Sequence, residues 1–248
     1  MPNSDHEEPD DTSAEVEVLV AHLLCTLPRS QHAELRNMER KARSQNEGEA
    51  RGGRFELKTL ATLRPDLLAR AVLEVRWPEL GGKGVDVHIA GTFAAEFQSK
   101  SFEVYRPATI TPDMTDAEME EAFNGAVVFP PAVIKERAGA IAKSANGKCR
   151  DKGFEALSEP VWLVFGTHEW LDEEITSRGD CFERLSEEFV RLFTVFPMVR
   201  VALAEPGRER LKRVVALCRN DAEVQNARDL ESVFDTPVTV VPPRTATR

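Results

Sequence analysis

The sequence predicts a mixed α/β protein with one main folded domain. Three observations predict this. Residues 14–27 are apolar at helical spacing. Residues 71–102 hold three successive stretches that alternate or favour strands, separated by turn residues. Residues 161–166 read VWLVFG, an apolar run of the length expected for a buried strand. Hydrophobic content of 42% and charged content of 30% suit a chain that buries a core.

Taken in order, AEVEVLVAHLLCTL predicts a helix that ends before Pro28, with Ser13 as its N-cap. Residues 30–46 are strongly charged and predict a second, exposed helix. EGEARGG reads as a break. Phe55, Leu57, Leu60 and Leu63 predict a short helix stopped by Pro65. Ala71–Trp77, Val85–Ala90 and Phe93–Phe102 predict a three-stranded meander, with Gly91 and Thr92 as its second turn. Thr115 and Glu118 have the form of a capping box opening a short acidic helix. Pro130 and Pro131 open a longer helix to about Ser144. Beyond it come the strand 161–166, a helix over 185–193, and strands over 199–204 and 214–217. A short β-like run follows near the end.

The composition also excludes some classes. No apolar run is long enough to span a bilayer, and the first fifteen residues have neither a basic start nor an apolar segment of signal-peptide type. Cys25, Cys149, Cys181 and Cys218 are scattered, which argues against a zinc site and a disulfide framework. A cytoplasmic location is expected. The net charge is −10, but residues 1–18 carry seven acids and no Lys or Arg, so the remainder is far less acidic. Residues 29–70 hold ten Lys/Arg against six Asp/Glu, and Arg36, Arg40, Lys41 and Arg43 could meet phosphates or form a solvated helix face. No phosphate loop, Ser-His-Asp signature or dinucleotide fingerprint is present.

The chemistry-bearing segment is GGKGVDVHIAGTFAAEFQSKSF, residues 81–102. Strand periodicity puts Glu96, Gln98 and Lys100 on one face, and Phe93, Ala95 and Phe97 on the other. Asp86, on the neighbouring strand, can approach that polar row. An Asp with a second carboxylate or amide oxygen is a hard oxygen site suited to Mg²⁺ or Mn²⁺. A nearby Lys can orient water and stabilise charge on a phosphate. Such a set can hydrolyse a phosphodiester with the help of a metal. A surface ion pair is the plain alternative for Asp86 and Lys100. His88 and His168 read as a rim histidine and a loop histidine, and Trp162 and Phe165 as core.

G-x-G-V-D-V followed by F-Q-S-K resembles the PD-(D/E)XK nuclease superfamily, in its Mrr-like restriction endonuclease branch. Arg54-Phe55-Glu56, Gly84 before Val85-Asp86, and a helix bearing Lys135, Arg137 and Lys143 ahead of VWLVFG agree with it. The resemblance implies a restriction-endonuclease-like αβββαβ core with a mixed sheet. It makes Asp86 a metal ligand, Gln98 the occupant of a position usually held by an acid, Lys100 the catalytic lysine and Glu56 an accessory acid. In a second register, Glu96-x-Gln98 is an E-x-Q variant, with Glu96 as the second ligand and Gln98 in place of the lysine. The implied organisation is a disordered acidic tail over 1–12, a helical segment over 13–53, a nuclease-like core over 54–205 and an extension over 206–248. The implied partner is DNA, with a homodimer or a helper protein left open. A catalytically silent adaptor of the same fold and an unrelated small-molecule enzyme are the competing readings.

Overall fold

The computed structural model describes residues 11–99, 114–119, 131–166, 180–194 and 196–241. The chain is mixed α/β. Helices α1 (Asp11–Thr26), α2 (His32–Ala42), α3 (Glu47–Ala61) and α4 (Pro65–Leu68) precede the meander β1 (Val72–Arg76), β2 (Gly84–Ile89) and β3 (Phe93–Ser99). Helix α5 (Pro131–Lys152), β4 (Val161–Gly166), α6 (Asp180–Leu192), β5 (Val199–Pro206), β6 (Leu211–Leu217), α7 (Asp221–Arg228) and β7 (Val238–Val241) follow. The seven strands form one sheet in sequence order. β1–β2–β3 are antiparallel, β3–β4–β5 parallel, β5–β6 antiparallel and β6–β7 parallel. Parallel neighbours need crossovers, and α5, α6 and α7 lie in the three that join them.

The central strands are apolar on both sides because both faces are covered. On one face Leu57 and Leu60 of α3, with residues of α1 and α2, meet Val87, Ala95, Phe97, Val164, Ala202 and Ala216. On the other, Ile141, Ala145 and Cys149 of α5 and Phe189 of α6 meet Leu163, Phe165, Val201, Leu203 and Val215. Trp162 and Phe165 are core, as expected. The segment 13–53 therefore shares a core with the sheet, the position between residues 53 and 54 falls within α3, and β6 and β7 extend the same sheet beyond residue 205. The expected tail 1–12 lies outside the described residues, except that α1 begins at Asp11.

Four expectations need correction. Ser13 is not an N-cap but lies inside α1, where its hydroxyl accepts from Arg43. The helix over 30–46 is half-buried, with Leu35, Met38 and Ala42 turned inward. EGEARGG is the first half of α3 rather than a break. Asn46 caps α3 by accepting from the Glu49 N–H at 3.1 Å, and Gly53 permits close contact with α2. A Cβ on Gly53 would stand 2.4 Å from Ala42 N. Finally, α5 continues eight residues past Ser144, since Ala145 and Cys149 pack on the sheet while Gly147 faces open space. The capping box is present: Thr115 N donates to Glu118 Oε2 at 2.8 Å, and Glu118 N to Thr115 Oγ1 at 3.3 Å.

The two glycines of α3 should respond in opposite ways. Gly53→Ala forces α2 and α3 apart and should cost about 1–3 kcal/mol. A Cβ on Gly52 meets nothing within 4 Å, so Gly52→Ala should stabilise by about 0.5–1 kcal/mol. Urea denaturation of both variants checks this pair.

Candidate functional site

Asp86 and Glu96 come together through strand register. Val87 pairs with Ala95 and His88 with Ala94, so one step further along the hairpin sets Asp86 opposite Glu96. At this point the Asp86 side chain replaces backbone pairing, for its Oδ2 accepts from Phe97 N at 2.6 Å. On the other side of β2, Leu73 pairs with Val87 and Val75 with Val85, so Glu74 of β1 also falls opposite Asp86. Glu74 has φ +50°, a left-handed conformation that is uncommon for a residue with a side chain. Three acids thus stand abreast on three adjacent strands. Glu56 of α3 adds a fourth carboxylate to this electrostatic neighbourhood.

Asp86 is 7% exposed and Glu96 2% exposed. Burial raises the Asp86 carboxyl well above the usual range, Glu96 and Glu56 push it further up, and the Phe97 N–H opposes them. Burial also raises Glu56, while Lys41 pulls it down.

Three lysines answer these acids. Lys148 Nζ lies 2.5 Å from Glu96 Oε1, and Lys152 Nζ 3.0 Å from Glu96 Oε2. Lys152 also donates to the carbonyl of Gly84 at 3.1 Å. Lys41 sits 3.4 Å from Glu56 and 3.3 Å from Glu74. Burial lowers the Lys148 ammonium, but the attraction of Glu96 outweighs it and leaves the pKa raised. Despite the nearby Lys152, Glu96 Oε2 is buried without a hydrogen-bond partner.

Of the residues expected at the site, Asp86, Glu96 and Glu56 share this neighbourhood. Gln98 lies along the same face of β3, and its Oε1 accepts from Ser144 Oγ of α5 at 2.9 Å. Lys100 and His168 lie outside the described residues. His88 turns to Glu159, with Nε2–Oε1 3.2 Å, and packs edge-on against Trp77. It also lines a separate cavity of about 260 Å³ at the β2–β3 turn, together with Thr92, Glu159 and Trp162. The basic run of α2 is spent internally: Arg36 and Arg43 pair with Glu39, Arg40 bonds Asn37, and Lys41 faces Glu56 and Glu74. Burial pushes the thiols of Cys149 and Cys218 up to about 12, which makes them poor nucleophiles.

Sequence reasoning did not find Glu74, Lys41, Lys148 and Lys152 as members of the site. A helix spacing of four from Ser144 through Lys148 to Lys152 was the signal that could have revealed the two α5 lysines. Glu74 had no local signal, because its place depends on the register of β1.

Among the described residues, no three His, Cys, Asp or Glu side chains are grouped so as to hold a metal ion. No helix among them is long and apolar enough to cross a membrane. The chain matches no protein-family model, no curated protein and no solved structure.

The raised Asp86 carboxyl has a consequence for stability. The folded state holds this proton more tightly than the unfolded chain does. Stability is therefore lost as pH rises from the ordinary carboxyl range through the raised folded value. Asp86→Asn keeps an acceptor for Phe97 N and removes the buried charge. The variant should melt at least about 2 °C above the parent at pH 8, a shift that corresponds to roughly 1 kcal/mol in a chain of this size. The gap should close below pH 4, where both carry a neutral side chain. Thermal melts across pH check the sign.

Proposed function

We propose that this protein hydrolyses phosphodiester bonds in DNA with the help of Mg²⁺ or Mn²⁺, on a restriction-endonuclease-like core formed by α3, β1–β3, α5 and β4. The observation that carries this reading is the meeting of buried Asp86 and Glu96, with Glu56 alongside, at the start of one strand and the middle of the next. Like charges held together out of water repel unless a proton or a cation joins them, and a divalent ion can do so. The order helix, three-stranded antiparallel meander, helix, parallel strand agrees with the core that the resemblance implies.

The residues fit a hard divalent ion in one respect that matters. Glu96 Oε2 is buried and makes no hydrogen bond of good geometry, and the Lys152 ammonium 3.0 Å away is the cation an ion would displace there. Mg²⁺ keeps several waters and takes one or two carboxylates plus substrate phosphate, so a cluster of three protein acids is not required. Asp86 and Glu96 would hold it, and Glu56 would act from further out. When bound, the ion would polarise the phosphate and lower the pKa of a water.

The remaining work falls to the chain's own groups. Phe97 N–H fixes the Asp86 carboxylate in rotation. Ser144 fixes the Gln98 amide. The register favours the Glu96-x-Gln98 reading, since Glu96 is the residue opposite Asp86. Lys148 then offers an ammonium beside the second carboxylate, the position from which charge on a phosphate can be stabilised. Lys100 remains the candidate of the Q-x-K register.

A second reading has its own support. Lys148 and Lys152 already balance Glu96, and Lys41 balances Glu56 and Glu74. A silent nuclease-fold adaptor needs no further cation.

Supercoiled plasmid with Mg²⁺ or Mn²⁺ separates the two. The proposal expects nicking that falls about a hundredfold or more in Asp86→Ala and Glu96→Ala. Lys148→Ala should lose more activity than Lys100→Ala if the Glu96 register holds. Equal activity in all four variants, or none in the parent, rejects the hydrolase and leaves the adaptor.

A further inference from the structure

Basic side chains are distributed unevenly over the helices. Arg36, Lys41 and Arg43 pair with acids, and Arg40 bonds only the Asn37 amide. Helix α5 has six Lys/Arg against two Asp/Glu in a chain whose net charge is −10. Among the described residues, no acid pairs with Lys135, Arg137, Lys143 or Arg150.

Arg137 differs from the other three. Lys135, Lys143 and Arg150 are exposed, and their charges are solvated. Arg137 is half-buried, and its Nε is buried with no hydrogen-bond partner. The Nε is itself out of reach, but the guanidinium has no hydrogen-bond or ion-pair partner among the described residues, so its remaining N–H groups can take an acceptor from outside. Arg137, Ser144 and Lys148 recur at spacings of seven and four, which keeps them on one helix face. That face is the one from which Ser144 reaches Gln98 and Lys148 reaches Glu96. Arg137 therefore lies on the site side of α5, about 10 Å along the helix from Ser144.

We propose that this α5 face is the surface on which the backbone of a DNA strand lies, with Arg137 as a phosphate anchor remote from the reacting position. The inference rests on the nuclease-fold reading for its choice of DNA. A guanidinium with free donors matches phosphate oxygens in geometry and charge. Arg137 is a positioning residue: it binds the strand and leaves the chemistry to the groups near Glu96.

The test is metal-free. Fluorescence anisotropy of a labelled DNA duplex is measured in EDTA with the full chain, over a range of salt. Arg137→Gln should weaken binding at least about fivefold at about 0.1 M salt and reduce the salt slope by about one. Arg137→Lys should recover most of the affinity. Arg36→Gln, which removes a paired α2 cation, should stay within twofold of the parent. Arg137→Met, which keeps the aliphatic stem, serves if the glutamine variant does not fold. Equal losses in Arg36→Gln and Arg137→Gln would reduce the effect to net charge and overturn the assignment. So would an unchanged salt slope, an absence of DNA binding by the parent, or binding confined to RNA of the same length. Because no metal is present, plasmid cleavage decides the catalytic reading separately. A nicking enzyme whose Arg137→Gln variant binds DNA normally would contradict this inference alone.

Discussion

The arrangement depends on one constraint: two carboxylates held out of water on facing positions of a hairpin. Asp86 and Glu96 are buried, and each pushes against the other's charge. A fold keeps such a pair where cations surround it or where one acid holds its proton. Here α5 supplies Lys148 and Lys152 from one side of the sheet, and α2 supplies Lys41 near Glu56 and Glu74. The length of α5 past Ser144, the close contact of α2 with α3 at Gly53 and the backbone conformation of Glu74 all serve to bring these charges together.

The balance is incomplete, and its direction is informative. Glu96 Oε2 and Arg137 Nε are both buried without hydrogen bonds, yet they carry opposite charge and lie on the same side of the sheet. An acid held only by flexible lysine ammoniums can exchange one of them for a metal ion. A guanidinium that still lacks an acceptor suits a phosphate. A polynucleotide arriving with a divalent ion would answer both, whereas a neutral small molecule would answer neither. Under the proposed function, the cost of burying Asp86 without an ion would be stability given up for the site.

Much of the fold was legible in the sequence, because alternation in 71–99 and the apolar run 161–166 are strong local signals. The sheet order, with β6 and β7 continuing it, was not legible, since pairing between distant strands leaves no local trace. The break expected at EGEARGG shows why glycine misleads: Gly53 serves helix contact rather than chain reversal. At the site, Asp86, Glu96 and Glu56 could be named from spacing and resemblance, because each sits on an element whose period was clear. Lys148 and Lys152 lie in the part of α5 beyond Ser144, where their spacing of four was a signal too slight to extend the helix. Glu74 was hidden because its role arises from register and an unusual φ. The basic run of α2 was visible but misleading, for its partners Glu39, Glu56 and Glu74 are fixed only by folding.

The central claim is that the Asp86–Glu96 pair is built to draw in a divalent ion. Thermal unfolding with and without Mn²⁺ tests it without reference to any substrate, since an ion that binds only the folded chain must raise its melting temperature. The account predicts a rise for the parent protein that disappears in Glu96→Gln. An equal rise in both proteins, or no rise in the parent at millimolar Mn²⁺, would contradict it.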